Sequence, residues 1–189
     1  MTRLDVVVKQ PFNVCSVGED TKILSELAIC EYFDGCKVLD IGTGTGYIAI
    51  SLAKLGAIVH ATDVDENVLI IAEENAKLNN TKIKLIKSNL FESISEKYDI
   101  ITFNPPISNA PSILKNFVRK IPLIKYIVPL YLSAFKPHRK ILQNFLNNAK
   151  KHLTSNGKII TTAPLCYFEK IAEKEGFKKL KHVKETKIL

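Results

Sequence analysis

The sequence predicts an α/β fold, a doubly wound and mostly parallel sheet of seven strands whose last two form a C-terminal antiparallel hairpin. Three observations lead to this prediction. Short apolar runs alternate with segments of helical spacing, which is typical of parallel strands covered by helices. Polar residues end several of these runs, among them Asp40, Asp63 and Asn104. A glycine-rich stretch, residues 42–46, follows the first run directly, as a strand–turn–helix connection requires.

The first half of the chain is predicted to form a βαβ unit. Residues 38–41 form a buried strand, and residues 47–54 form a helix that ends before Gly56. A second strand at 58–62 ends at Asp63, and a helix from about 65 to 78 has Asp65 as its N-cap.

The other elements follow from the same patterns. They are a helix opening at 18–24, strands at 82–87, 98–103 and 158–163 (the last after an Asn156-Gly157 turn), helices at 138–153 and 167–174, and a closing antiparallel pair at 177–183 and 186–189. We expect residues 1–189 to form a single domain. Within it, residues 108–137 are expected to be a substrate-recognition insertion or lid, or alternatively a dimer surface.

The glycine-rich stretch is a candidate ligand site. Gly42, Gly44 and Gly46 stand at alternate positions, and glycines at such a turn let a ligand approach the backbone closely. A dinucleotide site needs the pattern Gly-x-Gly-x-x-Gly, but Tyr47 occupies the third glycine position here. A turn without a ligand is the other alternative, although three glycines and two strand-end acids exceed what a tight turn needs.

A second motif ends the strand at 98–103. Asn104, Pro105, Pro106 and Ile107 follow it, and the two prolines fix φ and stiffen the loop. In open α/β sheets, ligands bind outside the carboxyl ends of the strands near the switch point, which places Asn104 beside the glycine turn. An Asn carbonyl oxygen and a Pro backbone carbonyl can both accept N–H bonds from a planar nitrogen and so orient its lone pair. A simple Asn-Pro turn is the alternative.

Together the two motifs resemble the class I S-adenosylmethionine (SAM) methyltransferases, in their N-methylating branch. The resemblance implies a Rossmann-like fold, SAM as the cofactor, and catalytic positions at Asn104, Pro105, Pro106 and Ile107. It implies these cofactor contacts: Asp40, Gly42, Thr43, Gly44 and Gly46 for the methionine part, Asp63 for the ribose hydroxyls, Asn89 for the adenine amino group, and Val64 and Leu90 for the adenine ring. The family usually has an acid in place of Asn89, whose carbonyl oxygen can accept the same bond. Core packing explains Val64 and Leu90 equally well.

Two further features bear on the substrate. The segment 18–24, with Glu19-Asp20-Thr21, resembles the HemK-type release-factor glutamine methyltransferases. The branch usually has Tyr or Phe where this chain has Ile107, and a small group of archaeal proteins similar to rRNA guanine N-methyltransferases also has Ile there. The resemblance therefore implies either substrate.

Charge is distributed unevenly along the chain. Residues 1–99 carry 10 Lys/Arg and 15 Asp/Glu, residues 100–168 carry 10 and none, and residues 169–189 carry 7 and 4, so the net charges of −5, +10 and +3 give the total of +8. The middle block is typical of a phosphate-binding surface, although a solvated lysine-rich face is the alternative. We therefore rank an RNA base (rRNA or tRNA) first as substrate and a release-factor glutamine second, the latter with an acidic accessory subunit. A homodimer is also possible, and a non-catalytic SAM- or nucleotide-binding module is the third hypothesis.

Several classes of protein are not expected. The four cysteines and four histidines lack metal-ligand spacing, so we expect no metal site and reduced cytosolic thiols. The apolar run 121–135 contains Lys125 and two prolines and is too short to span a bilayer. No apolar signal region follows Met1, and we expect a cytoplasmic protein without membrane partners.

Overall fold

The computed structural model describes residues 4–11, 14, 16–105, 140–162 and 171–177. Its elements in chain order are α1 (Glu19–Cys30), β1 (Lys37–Ile41), α2 (Tyr47–Ala53), β2 (Ile58–Asp63), α3 (Glu66–Leu78), β3 (Lys84–Lys87), β4 (Tyr98–Phe103), α4 (residues 140–149), β5 (Leu153–Thr161) and α5 (residues 171–174). A 3₁₀ turn, Lys150–His152, joins α4 to β5.

The sheet of the described residues has five strands in the order β3-β2-β1-β4-β5, and every pairing is parallel. The predicted α/β fold with a parallel sheet is confirmed. The predicted closing antiparallel pair, which would raise the count to seven, lies outside the described residues except for Phe177. Pro106, Ile107 and the segment 108–137 lie outside them as well.

Apolar side chains cover both faces of the sheet, because successive residues of a strand point to opposite sides. Val38 and Ile100 lie on one face with α1 and α2, whose buried residues include Leu24 and Leu52. Leu39 and Ile101 lie on the other face, in the cluster that contains α4 and α5. On that face Phe145 of α4 stacks on Phe103, with ring centroids 4.6 Å apart. Phe103 is the last residue of β4, so this stacking anchors the end of the strand that carries Asn104.

The fifth strand differs from its prediction. The helix before it was expected to reach residue 153 and the strand to begin at 158 after a turn, but β5 begins at Leu153 and runs through Asn156-Gly157. Leu153 pairs with Tyr98, and Lys158 pairs with Ile100, so a bulge accommodates the extra residues of β5. The Asn-Gly pair marks this bulge and not a chain reversal.

A buried carboxylate joins β1 to β4. Asp40 is 1% exposed, and its two oxygens accept hydrogen bonds from the hydroxyls of Thr43 and Thr102, each 2.7 Å long. Burial raises the pKa of Asp40 from 3.8 to about 6, the two hydroxyl bonds oppose that rise, and the nearby charge of Asp63 adds to it. The two hydrogen bonds of Asp40 fix the turn that follows β1 relative to the strand that leads to Asn104.

The bulge in β5 predicts a strong dependence of stability on Gly157. A Cβ atom there would lie 2.8 Å from Leu153 Cδ2 and 2.9 Å from the Tyr98 carbonyl oxygen, which belongs to the backbone of the paired strand. We expect Gly157→Ala to lower the free energy of unfolding by about 1–3 kcal/mol in urea titrations, because the strand must shift. The exposed neighbour provides the control, since Asn156→Ala should change it by no more than about 0.5 kcal/mol. Equal effects of the two changes would contradict the bulge geometry.

The raised pKa of Asp40 predicts a pH-dependent effect of Asp40→Asn. The folded protein binds a proton on Asp40 more tightly than the unfolded chain does. The contribution of this proton to the stability of the fold is therefore complete below about pH 3.8 and is lost as the pH rises through about 6. The free energy of unfolding of the variant minus that of the wild type should therefore increase from about pH 4 to about pH 7, by up to about 3 kcal/mol. Urea unfolding of both proteins across this range measures the difference, and a difference independent of pH would contradict the assignment.

Candidate functional site

The predicted site residues lie in one row along the carboxyl edge of the sheet. Ile41 of β1 pairs with Phe103 of β4 and with Thr62 of β2. The next residues along these three strands, Asn104, Gly42 and Asp63, therefore stand side by side. Adjacent strands lie about 4.8 Å apart, so Asp63 and Asn104 are roughly 10 Å from each other, with the glycine turn between them.

The glycine turn has a backbone that only glycine adopts readily. Gly42, Gly44 and Gly46 have φ values of 65°, 55° and 82°, all in the left-handed region. The Thr43 amide donates to the Thr62 carbonyl oxygen at 2.8 Å, which ties the turn to β2. A Cβ atom on Gly46 would lie 3.3 Å from the Ala72 Cβ of α3, so the turn also packs closely on that helix.

Asp63 lies beside the turn, where the resemblance places a ribose contact. Its Oδ2 accepts from the Gly44 amide at 3.2 Å, and its Oδ1 accepts from the Asp65 amide at 3.2 Å. A carboxylate has about four acceptor positions, so two remain for hydroxyl groups of a ligand. The side chain is partly exposed, and its contact with ribose stays a prediction.

The predicted adenine contacts follow the ends of β2 and β3. Val64 is 61% exposed, so its side chain is accessible to a ligand. The Ser88 amide donates to the Asp63 carbonyl oxygen at 2.9 Å, so the chain after β3 returns toward β2. Leu90 has a left-handed φ of 52° and is partly buried, and Asn89 is exposed with its amide nitrogen donating to Glu92 at 2.8 Å. The arrangement is compatible with a ring between Val64 and Leu90.

Asp40 and Thr43 are less accessible than the rest of the row. Asp40 is 1% exposed and Thr43 is 8% exposed, and they are hydrogen-bonded to each other. In this conformation Asp40 supports the turn from beneath. Its predicted contact with the methionine part of SAM stays a prediction, as do those of the glycines.

Asn104 is held by two threonines from distant parts of the chain. Its Nδ2 donates to the Thr21 hydroxyl at 3.1 Å, and its Oδ1 accepts from the Thr162 hydroxyl at 2.6 Å. Thr21 is in the first turn of α1, and Thr162 follows β5, where Thr161 pairs with Phe103. The two bonds fix the plane of the amide and leave Oδ1 one further acceptor position.

Neither threonine was predicted from the sequence to contact Asn104. Thr21 belongs to the Glu-Asp-Thr segment, which suggested a family but not a contact with Asn104, 83 residues away. Thr162 is placed beside Asn104 by the register between β4 and β5, which only the structure shows. Pro105 is buried after Asn104, while the predicted positions Pro106 and Ile107 fall outside the described residues.

Two further properties concern only the part of the chain that the structure describes. It contains no group of three or more His, Cys, Asp or Glu residues that could hold a metal ion. None of its helices combines the length and the apolar character needed to cross a membrane.

One family model and two curated relatives show what this chain is similar to. The family model "Methyltransferase small domain" matches residues 16–122. A release factor glutamine methyltransferase of Lactococcus lactis is 35% identical over 158 residues, which cover 82% of this chain and 57% of that protein. A putative protein N5-glutamine methyltransferase of Methanocaldococcus jannaschii is 34% identical over 145 residues, which cover 76% of this chain and 68% of that protein. The chain therefore spans little more than half the length of the Lactococcus relative.

Solved structures agree with this assignment. A ribosomal protein L11 methylase of Lactobacillus delbrueckii has a TM-score of 0.61 and 26% identity, over 84% of this chain and 69% of that one. A T. thermophilus 16S rRNA methyltransferase in complex with AdoMet and guanosine has a TM-score of 0.65, over 87% of this chain and 40% of that one. Its identity of 21% supports the fold alone. The chain thus belongs to the methyltransferase small domain family and has the Rossmann-like fold of the class I SAM-dependent methyltransferases.

Proposed function

We propose that this protein transfers a methyl group from SAM to a planar nitrogen, and that the nitrogen is the side-chain amide of a glutamine in a translation protein. The observation that carries the reaction type is the row formed by Asn104, Gly42 and Asp63 at the carboxyl edge. A turn suited to a cofactor and a fixed amide suited to an N–H nitrogen lie next to each other there.

The described residues fit SAM. The three left-handed glycines leave the turn without side chains where a ligand meets the backbone. Asp63 keeps acceptor positions for ribose hydroxyls, and exposed Val64 offers an apolar surface to an adenine ring. When bound, SAM supplies an electrophilic methyl group.

The chain's own contribution to the chemistry is the alignment of the nucleophile. An amide nitrogen is a poor nucleophile because its lone pair is delocalised. The open acceptor position of Asn104 Oδ1 and the backbone carbonyl of Pro105 can each take one of the two N–H bonds of a primary amide. Accepting them turns the lone pair toward the glycine turn and stabilises the positive charge that develops on nitrogen. Such alignment lowers a barrier by up to about 7–11 kcal/mol in the best cases.

The choice of glutamine rests on the relatives and on where the described basic residues lie. Two relatives that align over most of this chain are named as glutamine methyltransferases. In the middle block, Lys150 and Lys151 stand just before β5, at the edge of the sheet opposite to Asn104. Lys158 is paired with Glu31 at 2.5 Å. Of the four basic residues of this block that the structure describes, these three therefore offer no phosphate contact beside the site, and the fourth, Lys140, lies in α4.

An RNA base is the second candidate. The observation that favours it is the absence of any Asp or Glu from residues 100–168, where ten Lys and Arg residues occur. With either substrate, we propose that the chain is one domain and that residues 108–137 are its substrate-recognition element.

If the substrate is a glutamine in a basic protein loop, binding requires an acidic surface, and we propose that an accessory subunit supplies it.

Two substitutions separate the cofactor half of the site from the catalytic half. Asp63→Ala should weaken SAM binding roughly ten- to a hundredfold in calorimetry, because a charge-assisted hydrogen bond contributes about 1.5–3 kcal/mol. Asn104→Ala should leave SAM affinity within about threefold and lower kcat, because Asn104 acts on the transition state. Each variant is the control for the other. Unchanged SAM affinity in Asp63→Ala, or normal turnover in Asn104→Ala, would refute the corresponding role.

A pair of charge reversals separates the two candidate substrates. Helix α4 leads into the start of β5 at the opposite edge, so Lys140, the first residue of α4 that the structure describes, lies toward the site and Lys151 lies away from it. We expect Arg139→Glu with Lys140→Glu to leave methylation of a glutamine-containing release-factor loop unchanged or improved, because a protein loop has no phosphates for these side chains to bind.

The matched control for this experiment is Lys150→Glu with Lys151→Glu, which changes the net charge equally at the other end of the helix. If the substrate is RNA, the first pair alone should abolish transfer. RNA binding should then fall steeply with salt, with a slope of about −0.7 to −0.9 per phosphate. That result would replace glutamine by an RNA base in the proposal.

A further inference from the structure

Two asparagines of α3 hold an extended segment of the chain against the helix. Asn79 Oδ1 accepts from the Val7 amide at 3.1 Å, and its Nδ2 donates to the Val7 carbonyl oxygen at 2.6 Å. Asn75 Oδ1 accepts from the Lys9 amide at 2.7 Å, and its Nδ2 donates to the Lys9 carbonyl oxygen at 3.1 Å. Each side chain thus pairs with both backbone groups of one residue, as a neighbouring strand would. We call residues 7–9 the strap.

The spacing of these bonds follows from the geometry of the two elements. Four residues of an α-helix rise about 6 Å, and two residues of an extended chain advance about 6.6 Å. Asn75 and Asn79 are four residues apart, and Lys9 and Val7 are two residues apart on the same side of the strap. The match fixes the strap in one register, antiparallel to α3.

Asn75 also reaches the glycine turn. The second hydrogen of its Nδ2 is donated to the Thr45 carbonyl oxygen at 2.8 Å. Asn75 is 0% exposed and Thr45 is 3% exposed, so no solvent replaces this bond if it is lost. Thr45 lies between Gly44 and Gly46, two of the three left-handed residues that give the turn its shape. One buried amide therefore joins the strap on one side to the turn on the other.

The strap determines which end of the Asn75 amide faces the turn. Because the Lys9 amide donates to Oδ1, the nitrogen of Asn75 is left to donate to Thr45. Without that donor, Oδ1 would be buried and unsatisfied, and only the carbonyl oxygens of Lys9 and Thr45 would hold the amide. A turn with three glycines can adopt many conformations. A weaker hydrogen bond to Thr45 would leave more of them populated, so that ordering the turn on binding a ligand would cost more free energy.

We propose that Asn75 is a positioning residue for the cofactor turn and that the backbone amide of Lys9, by holding Asn75, contributes to SAM affinity. The inference rests on the proposed binding of SAM by this turn. It assigns a role in binding to one backbone group of the strap, which is hydrogen-bonded to Asn75.

The test compares proline substitutions in the strap of the full chain. Lys9→Pro removes the N–H that orients Asn75, whereas Val7→Pro removes an equivalent N–H that is bonded only to Asn79. Lys9→Ala controls for loss of the lysine side chain, which pairs with Glu74 at 3.5 Å. We expect SAM affinity in calorimetry to fall about tenfold in Lys9→Pro and to change less than about twofold in Val7→Pro and Lys9→Ala.

A second measurement does not depend on SAM. Hydrogen exchange of the backbone amides of residues 43–46 should be faster in Lys9→Pro than in Val7→Pro, because only the first change removes a bond to the amide that holds Thr45. A merely structural strap would give the two proline variants equal thermal destabilisation, equal exchange in the turn and equal SAM affinity, and that outcome would overturn the inference. If the wild type fails to bind SAM, the proposed function is refuted. The exchange comparison still decides whether the strap and the turn are coupled.

Discussion

The site depends on one buried carboxylate. Asp40 connects the glycine turn, through Thr43, to the strand that ends at Asn104, through Thr102. Removing a carboxylate from water is costly, and the two short hydroxyl bonds offset only part of that cost, as the raised pKa shows. A neutral side chain would hold the strands together with less loss of stability. The raised pKa of Asp40 thus marks an electrostatic cost to folding near neutral pH.

Further hydrogen bonds hold the glycine turn and Asn104 in place. The turn is tied to β2 through the Thr43 amide and to α3 through Asn75, while Asn104 is tied to α1 and to the end of β5 through its two threonines. The groups proposed to meet cofactor and substrate are therefore fixed from several elements at once. This arrangement is what preorganised binding and catalysis require, because a small displacement of either half would misalign the reacting groups.

Local signals in the sequence predicted much of this correctly. The strand at 98–103 was predicted with its observed bounds, and Asp65 caps α3 as expected, accepting from the Asn67 amide at 2.9 Å. These features depend on residues that are close in sequence, such as an apolar run, a capping side chain or a glycine that must take a left-handed φ. The row of Asn104, Gly42 and Asp63 was also predictable, because parallel strands bring their carboxyl ends to one edge.

The supporting contacts were not predictable, because they join residues far apart in the chain. The bond from Asn104 to Thr21 spans 83 residues, and that from Asn75 to Thr45 spans 30. Nothing local distinguishes Asn75 from any other polar residue of an amphipathic helix until the segment that covers it is known. Likewise, Asn156-Gly157 has the composition of a turn, and only the pairing with β4 shows that the strand continues through it.

That bulge has a consequence for how the protein can change. Between the paired positions Leu153 and Lys158, β5 has four residues, whereas β4 has only Asp99 between Tyr98 and Ile100. Strand β5 thus has three more residues than β4 in this stretch. Because three is an odd number, the residues of β5 after the bulge point to the opposite faces of the sheet from those they would reach in an uninterrupted strand. This register brings Thr162 to Asn104, although the bulge lies about 17 Å back along the strand. An insertion or deletion at the far edge of the sheet that the bulge does not absorb would therefore bring a different side chain to Asn104 without altering a residue of the site. Length variation there is a route by which such a domain can acquire a new chemistry or lose the old one.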